Sequence, residues 1–213
     1  MNEPTRLVVV RHGETAWNAG TRMQGQLDTP LNDKGRWQAE RVAAALADEP
    51  IERVVSSDLQ RALQTAAPLA RSRRLEVIAE PGLRERCFGE FEGHTYADIA
   101  TRWPEGSARW HARDPGYAPA GGETLAAFHA RCVATALRLC EQHAGRTMVW
   151  FTHGGVLDCL YRAAARLELR APRSWLLANA SINRLLHTDQ GLMLVGWGDV
   201  GHLEQPTLDD AER

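Results

Sequence analysis

Two histidine-glycine pairs in the sequence each follow a short run of apolar residues. The letters VVVRHG place Arg11 and His12 behind the first run, and VWFTHG place His153 and Gly154 behind the second. Imidazole is a nucleophile and a proton carrier near neutral pH, and a following glycine lets a ligand approach the backbone closely. Each histidine alone is better explained by a structural role, but their matching positions after two separate strands indicate one shared site.

Two further segments contain residues suited to phosphate chemistry. In SSDLQRALQTA, Arg61 lies near the start of a predicted helix, where unpaired backbone N–H groups and a guanidinium would both attract an anion. In LRERCFGEFEG, the candidates for a general acid are Glu85, Glu90 and Glu92. Spacing alone does not choose among these three carboxyl groups.

Alternating strands and helices position these segments. LVVV, ERVVSS, LEVIAE and TMVWFT have the apolar character of buried strands, and INRLLHT with LMLVGWG predicts a closing hairpin. Four helices are predicted, over 33–48, LQRALQTAAPLARS, 123–143 and 156–166. The first has Asn32 as its N-cap and Trp37 among its apolar positions. This order predicts an α/β fold: a three-layer α/β/α sandwich with a mostly parallel central sheet.

Residues 81–122 differ from the rest in composition, because they combine several glycines and prolines with two tryptophans. We interpret them as a small loop-rich helical cap inserted in a single domain that spans residues 1–213. The two tryptophans are predicted to pack the cap onto the core. The alternative is that aromatic and basic side chains of the cap shape a substrate pocket: Trp103, Trp110, His111, Arg113 and Tyr117.

The charge balance limits the classes of ligand. A net charge of -2 and a pI near 6.4 argue against a general nucleic-acid-binding protein, which usually carries a basic excess. Lys34 is the only lysine, and no G-x-x-x-x-G-K-[ST] motif occurs, which excludes a nucleotide-binding P-loop. The basic residues are therefore almost all arginines, the side chain suited to bidentate capture of phosphate.

Cysteine usage and the absence of targeting signals predict a cytoplasmic protein. The four cysteines form no C-x-x-C pair, which indicates reduced thiols. The N-terminal residues do not resemble a secretory signal, and no apolar run approaches the roughly 20 residues of a membrane span. The expected partner is a small-molecule phosphomonoester, with no nucleic acid and no membrane, and the sequence leaves open whether the chain forms a homodimer.

Five motifs in order resemble the histidine phosphatase superfamily, in its phosphoglycerate-mutase-like branch. They are LVVVRHGETAWN, MQGQLDTPLNDKG, SSDLQRALQTA, LRERCFGEFEG and FTHGG, and they extend from Leu7 to Val156. The resemblance implies a metal-independent phosphomonoesterase that needs no cofactor and acts on a small phosphorylated metabolite through a phosphohistidine intermediate.

The resemblance also implies a role for each site residue. His12 would attack phosphorus, and Glu85 would protonate the leaving alcohol, which selects it among the three glutamates. The remaining residues would bind the phosphoryl oxygens (Arg11, Arg61 and His153) or the substrate more generally (Asn18, Gln24, Gly25 and Gly154).

The same pocket also serves 2,3-bisphosphoglycerate-dependent phosphoglycerate mutases, which are the main alternative. Those enzymes carry an inserted segment between the general acid and the last histidine, whereas only 67 residues separate Glu85 from His153 here. This short spacing favours hydrolysis.

Two alternatives from other classes are weaker. A metallohydrolase would need a motif such as H-x-x-x-H or H-E-x-x-H, which the sequence lacks, and arginines beside the site would repel a cation. A catalytically silent phospholigand-binding module is disfavoured because all the reacting groups are present.

Overall fold

A six-stranded mixed sheet forms the centre of the structure, a computed structural model that describes residues 3–204. The strand order is β3-β2-β4-β1-β5-β6; the first four strands are parallel, and β5 and β6 are antiparallel to their neighbours. This arrangement confirms the predicted α/β class with a mostly parallel sheet. The strands are β1 (Thr5–Arg11), β2 (Arg53–Ser56), β3 (Val77–Ala79), β4 (Thr147–Thr152), β5 (Ile182–Thr188) and β6 (Gly191–Asp199).

Within residues 3–204, seven α-helices flank or cap this sheet. They are α1 (Ala16–Ala19), α2 (Asp33–Ala45), α3 (Gln60–Arg73), α4 (Tyr96–Arg102), α5 (Pro104–His111), α6 (Leu125–Gln142) and α7 (Gly154–Ala165). Asn32 caps α2 as predicted, since its side chain accepts a hydrogen bond from the Gly35 N–H. None of the helices within residues 3–204 is long and apolar enough to cross a membrane.

Alternating side chains of the central strands divide the core into two layers. Leu7 and Val9 of β1 pack with residues of α6 and α7, whereas Val8 and Val10 pack with residues of α2 and α3. Successive residues of a strand point to opposite faces, so LVVV buries apolar side chains on both sides of the sheet. The helices on each face complete the predicted three layers.

The observed ends of α2, α6 and α7 differ from the predicted ones by up to three residues. The helix predicted over 123–143 begins at Leu125, because Thr124 is its N-cap and accepts from the Ala127 N–H. The helix predicted over 156–166 begins at Gly154, so Gly154 and Gly155 belong to its first turn. The helix predicted over 33–48 ends at Ala45, and Trp37, expected among its apolar positions, is 40% exposed.

The segment 81–122 folds over the carboxyl end of the sheet. It contains two 3₁₀ turns, at Pro81–Leu83 and Gly89–Phe91, followed by α4 and α5. Phe91 and Ile99 of this segment form a small buried cluster with Met23. Trp103 packs against Phe91 with ring centroids 5.4 Å apart, so this contact joins two residues of the cap itself. The packing of the tryptophans onto the core stays a prediction.

Candidate active site

The residues singled out in the sequence meet at the carboxyl edge of the central strands. β1 and β4 are parallel neighbours, with Arg11 paired to Thr152, so the residues that follow both strands enter one crevice. A cavity of about 380 Å³ lies there. Except for His153, all the predicted site residues line it: Arg11, His12, Asn18, Gln24, Gly25, Arg61, Glu85 and Gly154.

His12 is buried and held in one tautomer. Its Nδ1 lies 2.7 Å from the carbonyl oxygen of Gly13, which can only accept, so Nδ1 carries the hydrogen. The lone pair of the neutral ring is therefore on Nε2. Burial, together with the charges of Arg61 and Arg11, lowers the pKa of His12 well below its usual value. The imidazole is thus neutral at pH 7, with a free nitrogen lone pair.

His153 stands behind His12, with the two ring centroids 5.2 Å apart. Its Nε2 is hydrogen-bonded to the hydroxyl of Ser57 at 2.8 Å, and its buried Nδ1 has no partner among the described residues. Burial, then the charge of Arg61 and the nearby His12, lowers the pKa of His153. Two neutral imidazoles therefore lie side by side, with His12 at the wall of the cavity and His153 behind it.

Arg11 and Arg61 bring permanent positive charge to the same point. Arg61 donates to the carbonyl oxygens of Leu27 and Gly25, and Arg11 donates to that of Leu177. The Nε groups of both arginines are buried without a partner among the described residues. Burial lowers the pKa of Arg61 to about 10, so it remains charged at neutral pH. These contacts fix the guanidinium planes and leave donors for an anion.

Close backbone packing fixes the loop that carries His12. A Cβ at Gly13 would lie 2.5 Å from the Gly35 carbonyl oxygen, and one at Gly35 would lie 2.0 Å from that of Glu14. Neither position tolerates a side chain without movement of the backbone. Glu14 itself accepts hydrogen bonds from Asn32 and Lys34, which lower its pKa and tie the loop to α2.

Asn18, on the short helix α1, closes one side of the cavity. Its Oδ1 accepts from the Thr15 N–H, and the Thr15 hydroxyl oxygen accepts from the Asn18 N–H, which together form a capping box. Asn179 donates from Nδ2 to the His12 carbonyl oxygen at 3.0 Å and lies 3.3 Å from Asn18 Oδ1. With Oδ1 engaged in these contacts, the Nδ2 hydrogens of Asn18 are available to a ligand.

Gln24 and Gly25 border the cavity next to Asn18. Gln24 Oε1 accepts from the hydroxyls of Thr15 and Thr29. Gly25 has φ +54°, and a Cβ there would overlap the carboxylate of Glu92 at 2.0 Å, so only glycine fits.

Glu85 is the glutamate that faces the cavity. Its two carboxyl oxygens accept from the backbone N–H groups of Arg86 and Gly155, at 2.8 and 3.0 Å. Glu92 instead accepts from the N–H of Phe88, and Glu90 accepts from that of Ala120. Of the three glutamates that the sequence left open, the structure therefore brings Glu85 alone to the cavity wall.

Gly154 and Gly155 let the start of α7 approach this site. A Cβ at Gly155 would lie 2.1 Å from a carboxyl oxygen of Glu85, and one at Gly154 would lie 3.4 Å from the Nε of Arg11. Across residues 3–204, no group of three or more His, Cys, Asp or Glu side chains is placed to hold a metal ion. The charged groups that face the cavity are mostly arginines.

The sequence profile of the histidine phosphatase superfamily, branch 1, matches residues 7–200 of the chain. The chain belongs to this superfamily. The match covers all five motifs and both strands of the closing hairpin. It confirms the family to which the motifs pointed.

Relatives in this superfamily carry both phosphatase and mutase names. The chain is 42% identical over 202 residues to the Arabidopsis thaliana phosphoglycerate mutase-like protein 4, covering 93% of this chain and 87% of the relative. It is 37% identical over 206 residues to the metal-independent phosphoserine phosphatase of the same plant, covering 95% and 84%.

A solved structure supports the same histidine phosphatase assignment. The mycobacterial glucosyl-3-phosphoglycerate phosphatase in complex with VO3 superimposes with a TM-score of 0.79 at 35% identity, covering 91% of this chain and 98% of that one. These relatives and the family match confirm the expectation of a phosphoric monoester hydrolase.

Sequence reasoning missed three polar residues that hold the histidine phosphatase site in place. Ser57 contacts His153, Asn179 contacts the loop after β1, and Thr65 accepts from the Gly13 N–H through its hydroxyl at 3.0 Å. SSD, which precedes Arg61, was the only local signal for Ser57. Asn179 has no motif at all, because its contact depends on the position of the chain before β5.

Proposed function

We propose that the chain hydrolyses small phosphomonoesters by direct attack of His12 Nε2 on phosphorus. One observation carries this proposal: the Nδ1 hydrogen of His12 is donated to the Gly13 carbonyl, which leaves a lone pair on Nε2. As the Nε2–P bond forms, the bond from phosphorus to the leaving oxygen breaks, and its electron pair moves to that oxygen. A phosphohistidine results, and water then cleaves it.

The surrounding donors would stabilise the charge that spreads over the phosphoryl oxygens during this transfer. The Nε groups of Arg11 and Arg61 are buried and unpartnered among the described residues, and Asn18 has free amide hydrogens beside them. Donors fixed before the reaction need no reorganisation when charge develops. A dianionic ligand would also raise the pKa of His153, which favours the cation or a donated hydrogen bond at its free Nδ1.

Glu85 would supply the proton that the leaving alcohol needs. Backbone N–H groups fix both of its carboxyl oxygens at the wall of the cavity. In the second step the same carboxylate would take a proton from the attacking water. Such acid-base catalysis contributes about 10²- to 10⁴-fold to the rate.

The substrate class follows from the size of the cavity and from the relatives. A volume of about 380 Å³ is at the lower end of small-molecule pockets and fits a metabolite of a few carbon atoms beyond its phosphate. Phosphoserine, which appears in the name of one relative, is an example of such a phosphomonoester, whereas glucosyl-3-phosphoglycerate, in the name of another, is larger. The four cysteines are free, which fits a reducing compartment, and we propose the cytoplasm.

Phosphoglycerate mutase activity is the second candidate, since one relative is named mutase-like. A mutase must keep water from its phosphohistidine while the substrate turns over in the site. Here the rim residues Tyr96 and Leu176 are 46% and 75% exposed, so water can reach the cavity. This exposure, together with the short spacing between Glu85 and His153, favours hydrolysis.

Trapping the phosphoenzyme tests the proposal. The enzyme is mixed with p-nitrophenyl phosphate and quenched in alkali, and the phosphoryl group is located by mass spectrometry on the peptide that contains His12. His12→Ala should lose both the modification and turnover, because the nucleophile is gone, whereas His187→Ala, on β5, should keep both. Turnover close to the wild-type rate in His12→Ala would refute the mechanism.

A second assay separates the two activities. With 3-phosphoglycerate and a 2,3-bisphosphoglycerate primer, a phosphatase releases inorganic phosphate faster than it interconverts the two phosphoglycerates. The opposite ranking would identify a mutase.

A further inference from the structure

The cavity extends well beyond the groups assigned to the phosphate. Its outer wall is formed by the cap, by Asp158 of α7 and by the segment that precedes β5. The side chains there include Tyr96, Trp110, Arg113 and Arg173. No role has been given to this wall, although it must contact whatever the phosphate is attached to.

Positive charge is in excess around the cavity. Six arginines line it (Arg11, Arg22, Arg61, Arg86, Arg113 and Arg173), against two carboxylates, Glu85 and Asp158. A phosphomonoester carries close to two negative charges at pH 7, so a bound phosphate would offset only part of this excess.

Not all of these arginines are equally free. Arg86 lies near Glu123 and donates to backbone carbonyl oxygens, and Arg22 lies near Asp98. Arg173 differs from them: it is exposed, lines the cavity, and makes no hydrogen bond or ion pair with any residue in 3–204. Burial lowers the pKa of Arg11, and the positive charge of Arg173 acts on it in the same direction.

Arg113 is the second basic group on this wall, and it is rigidly held. Its Nη2 donates to Asp158 Oδ2 at 2.6 Å, and its Nε donates to the Leu169 carbonyl oxygen at 2.7 Å. Asp158 is 5% exposed and also accepts from Arg162, which is fully buried. The Nη1 group of Arg113 makes no hydrogen bond within the described residues, so a fixed guanidinium presents an unused donor.

We propose that Arg113 and Arg173 form a second anion subsite, which binds a carboxylate or a second phosphate on the substrate. Asp158 is a positioning residue, because it acts through Arg113. The proposal rests on the proposed phosphatase function and adds to it a substrate class: phosphomonoesters with another anionic group within reach of the cavity. A guanidinium matches either anion through two parallel N–H donors.

Matched substrate pairs test the subsite, since each pair differs mainly in one anionic group. The pairs are O-phosphoserine and phosphoethanolamine, 3-phosphoglycerate and glycerol 3-phosphate, and fructose 1,6-bisphosphate and fructose 6-phosphate. The wild type should prefer the more anionic member of at least one pair by about 10-fold in kcat/KM, the effect of one charge-assisted contact. A preference in the first two pairs assigns a carboxylate, and one in the third assigns a phosphate.

Variants connect the preference to the two arginines. Arg173→Gln and Arg113→Gln should each lower the ratio of kcat/KM between the anionic and the neutral member about 10-fold, mainly through KM. Arg170→Gln is the matched control: it removes the same charge three residues away, where Arg170 lies 3.9 Å from Asp114. It should leave the ratio unchanged. Asp158→Asn should reduce the ratio as Arg113→Gln does, and Arg113→Lys should restore part of it.

Two results would overturn the subsite. One is a wild type whose kcat/KM is the same for both members of all three pairs. The other is an Arg173→Gln variant in which kcat/KM falls equally for both members of a pair. Turnover of p-nitrophenyl phosphate in the same preparations separates these results from failure of the proposed function. An enzyme that neither cleaves this ester nor forms phosphohistidine contradicts the phosphatase itself.

Discussion

The inner and outer parts of the cavity are built in opposite ways. At the inner end, His12, His153 and Arg61 are at most 3% exposed, and the side chain of each is held by a hydrogen bond. At the outer end, Tyr96 and Arg173 lie on exposed segments. The groups proposed to react are thus fixed by the core, whereas the groups that would contact the rest of the substrate lie on segments that can vary without disturbing the sheet.

This difference separates catalysis from substrate choice. Changes at the inner end should affect all phosphomonoesters, while changes at the outer wall should alter the ranking among them. Glu85 lies at the boundary, because it faces the cavity from the base of the cap and its carboxyl oxygens contact the start of α7. The expected effects at the inner end and this boundary decrease from Glu85 to Ser57 and then to the pH dependence caused by the two histidines.

Glu85→Gln should give the largest effect, and one that depends on the leaving group. Gln keeps the shape of the side chain but cannot give up a proton, so alkyl phosphates should lose about 10²- to 10³-fold in kcat. p-Nitrophenyl phosphate, whose leaving group needs little protonation, should lose much less. Steady-state rates on both esters are the measurement. Glu90→Gln is the control, since Glu90 contacts Ala120 away from the cavity; equal losses on both esters would remove Glu85 from the acid role.

Ser57→Ala should give an intermediate effect that is the same for every substrate. The variant removes the 2.8 Å partner of His153 Nε2, and the loss of one hydrogen bond in a buried site lowers kcat/KM up to about 10-fold. Ser56→Ala, at the last residue of β2 and directly before Ser57, is a matched control: Ser56 is equally buried, but its hydroxyl donates to the Ser57 carbonyl oxygen. If both variants behave alike, the Ser57 contact has no special role in the site.

The two buried histidines should also make stability depend on pH, the smallest of the three effects. Their pKa values are lowered in the folded protein, chiefly by burial and then by Arg61, whereas the unfolded chain titrates near 6.5. Below that pH the unfolded state binds more protons, so the free energy of unfolding falls as pH falls. The slope is at most about 1.4 kcal/mol per pH unit for each histidine.

Urea unfolding at pH values from 7 to 5 measures this dependence. His12→Asn should show a shallower slope than the wild type, because one depressed titration has been removed. His129, His143 and His202 also have lowered pKa values and remain in both proteins, so their contributions cancel in the comparison. An unchanged slope would contradict the lowered pKa of His12.

Local patterns were sufficient to predict the main elements of the fold. Apolar runs identified β1 and β4, and the polar residues after them gave the position of the site because parallel strands end at the same edge. Local patterns could not give the extent of β3, which has only three residues and pairs with β2 alone. The helical period of α2 also predicted a buried Trp37, which is exposed in the structure. A helical period shows which residues share a face, but it does not show how much of that face the neighbouring layer covers.

The supporting contacts of the site lay beyond prediction for a different reason. Ser57 reaches His153 only because β2 pairs with β4, and Asn179 reaches His12 from more than 150 residues away in the sequence. Neither contact has a local signature. The roles of Arg11, Arg61 and Glu85 came from resemblance, while the residues themselves had left the choice among three glutamates open. For the outer wall, the sequence supports only the alternative in which cap residues such as Arg113 shape a substrate pocket.

The pairing of β1 with β4 has a consequence for the order in which the enzyme folds. Arg11 and Thr152 are neighbours in the sheet but about 140 residues apart in the chain, so closing this contact carries a large entropic cost during folding. The two histidines cannot meet until that loop has closed. Helices such as α3 can form earlier from local contacts, but their formation does not bring the two histidines together. During synthesis, competence for phosphoryl transfer therefore arrives only after the segment containing β4 has left the ribosome.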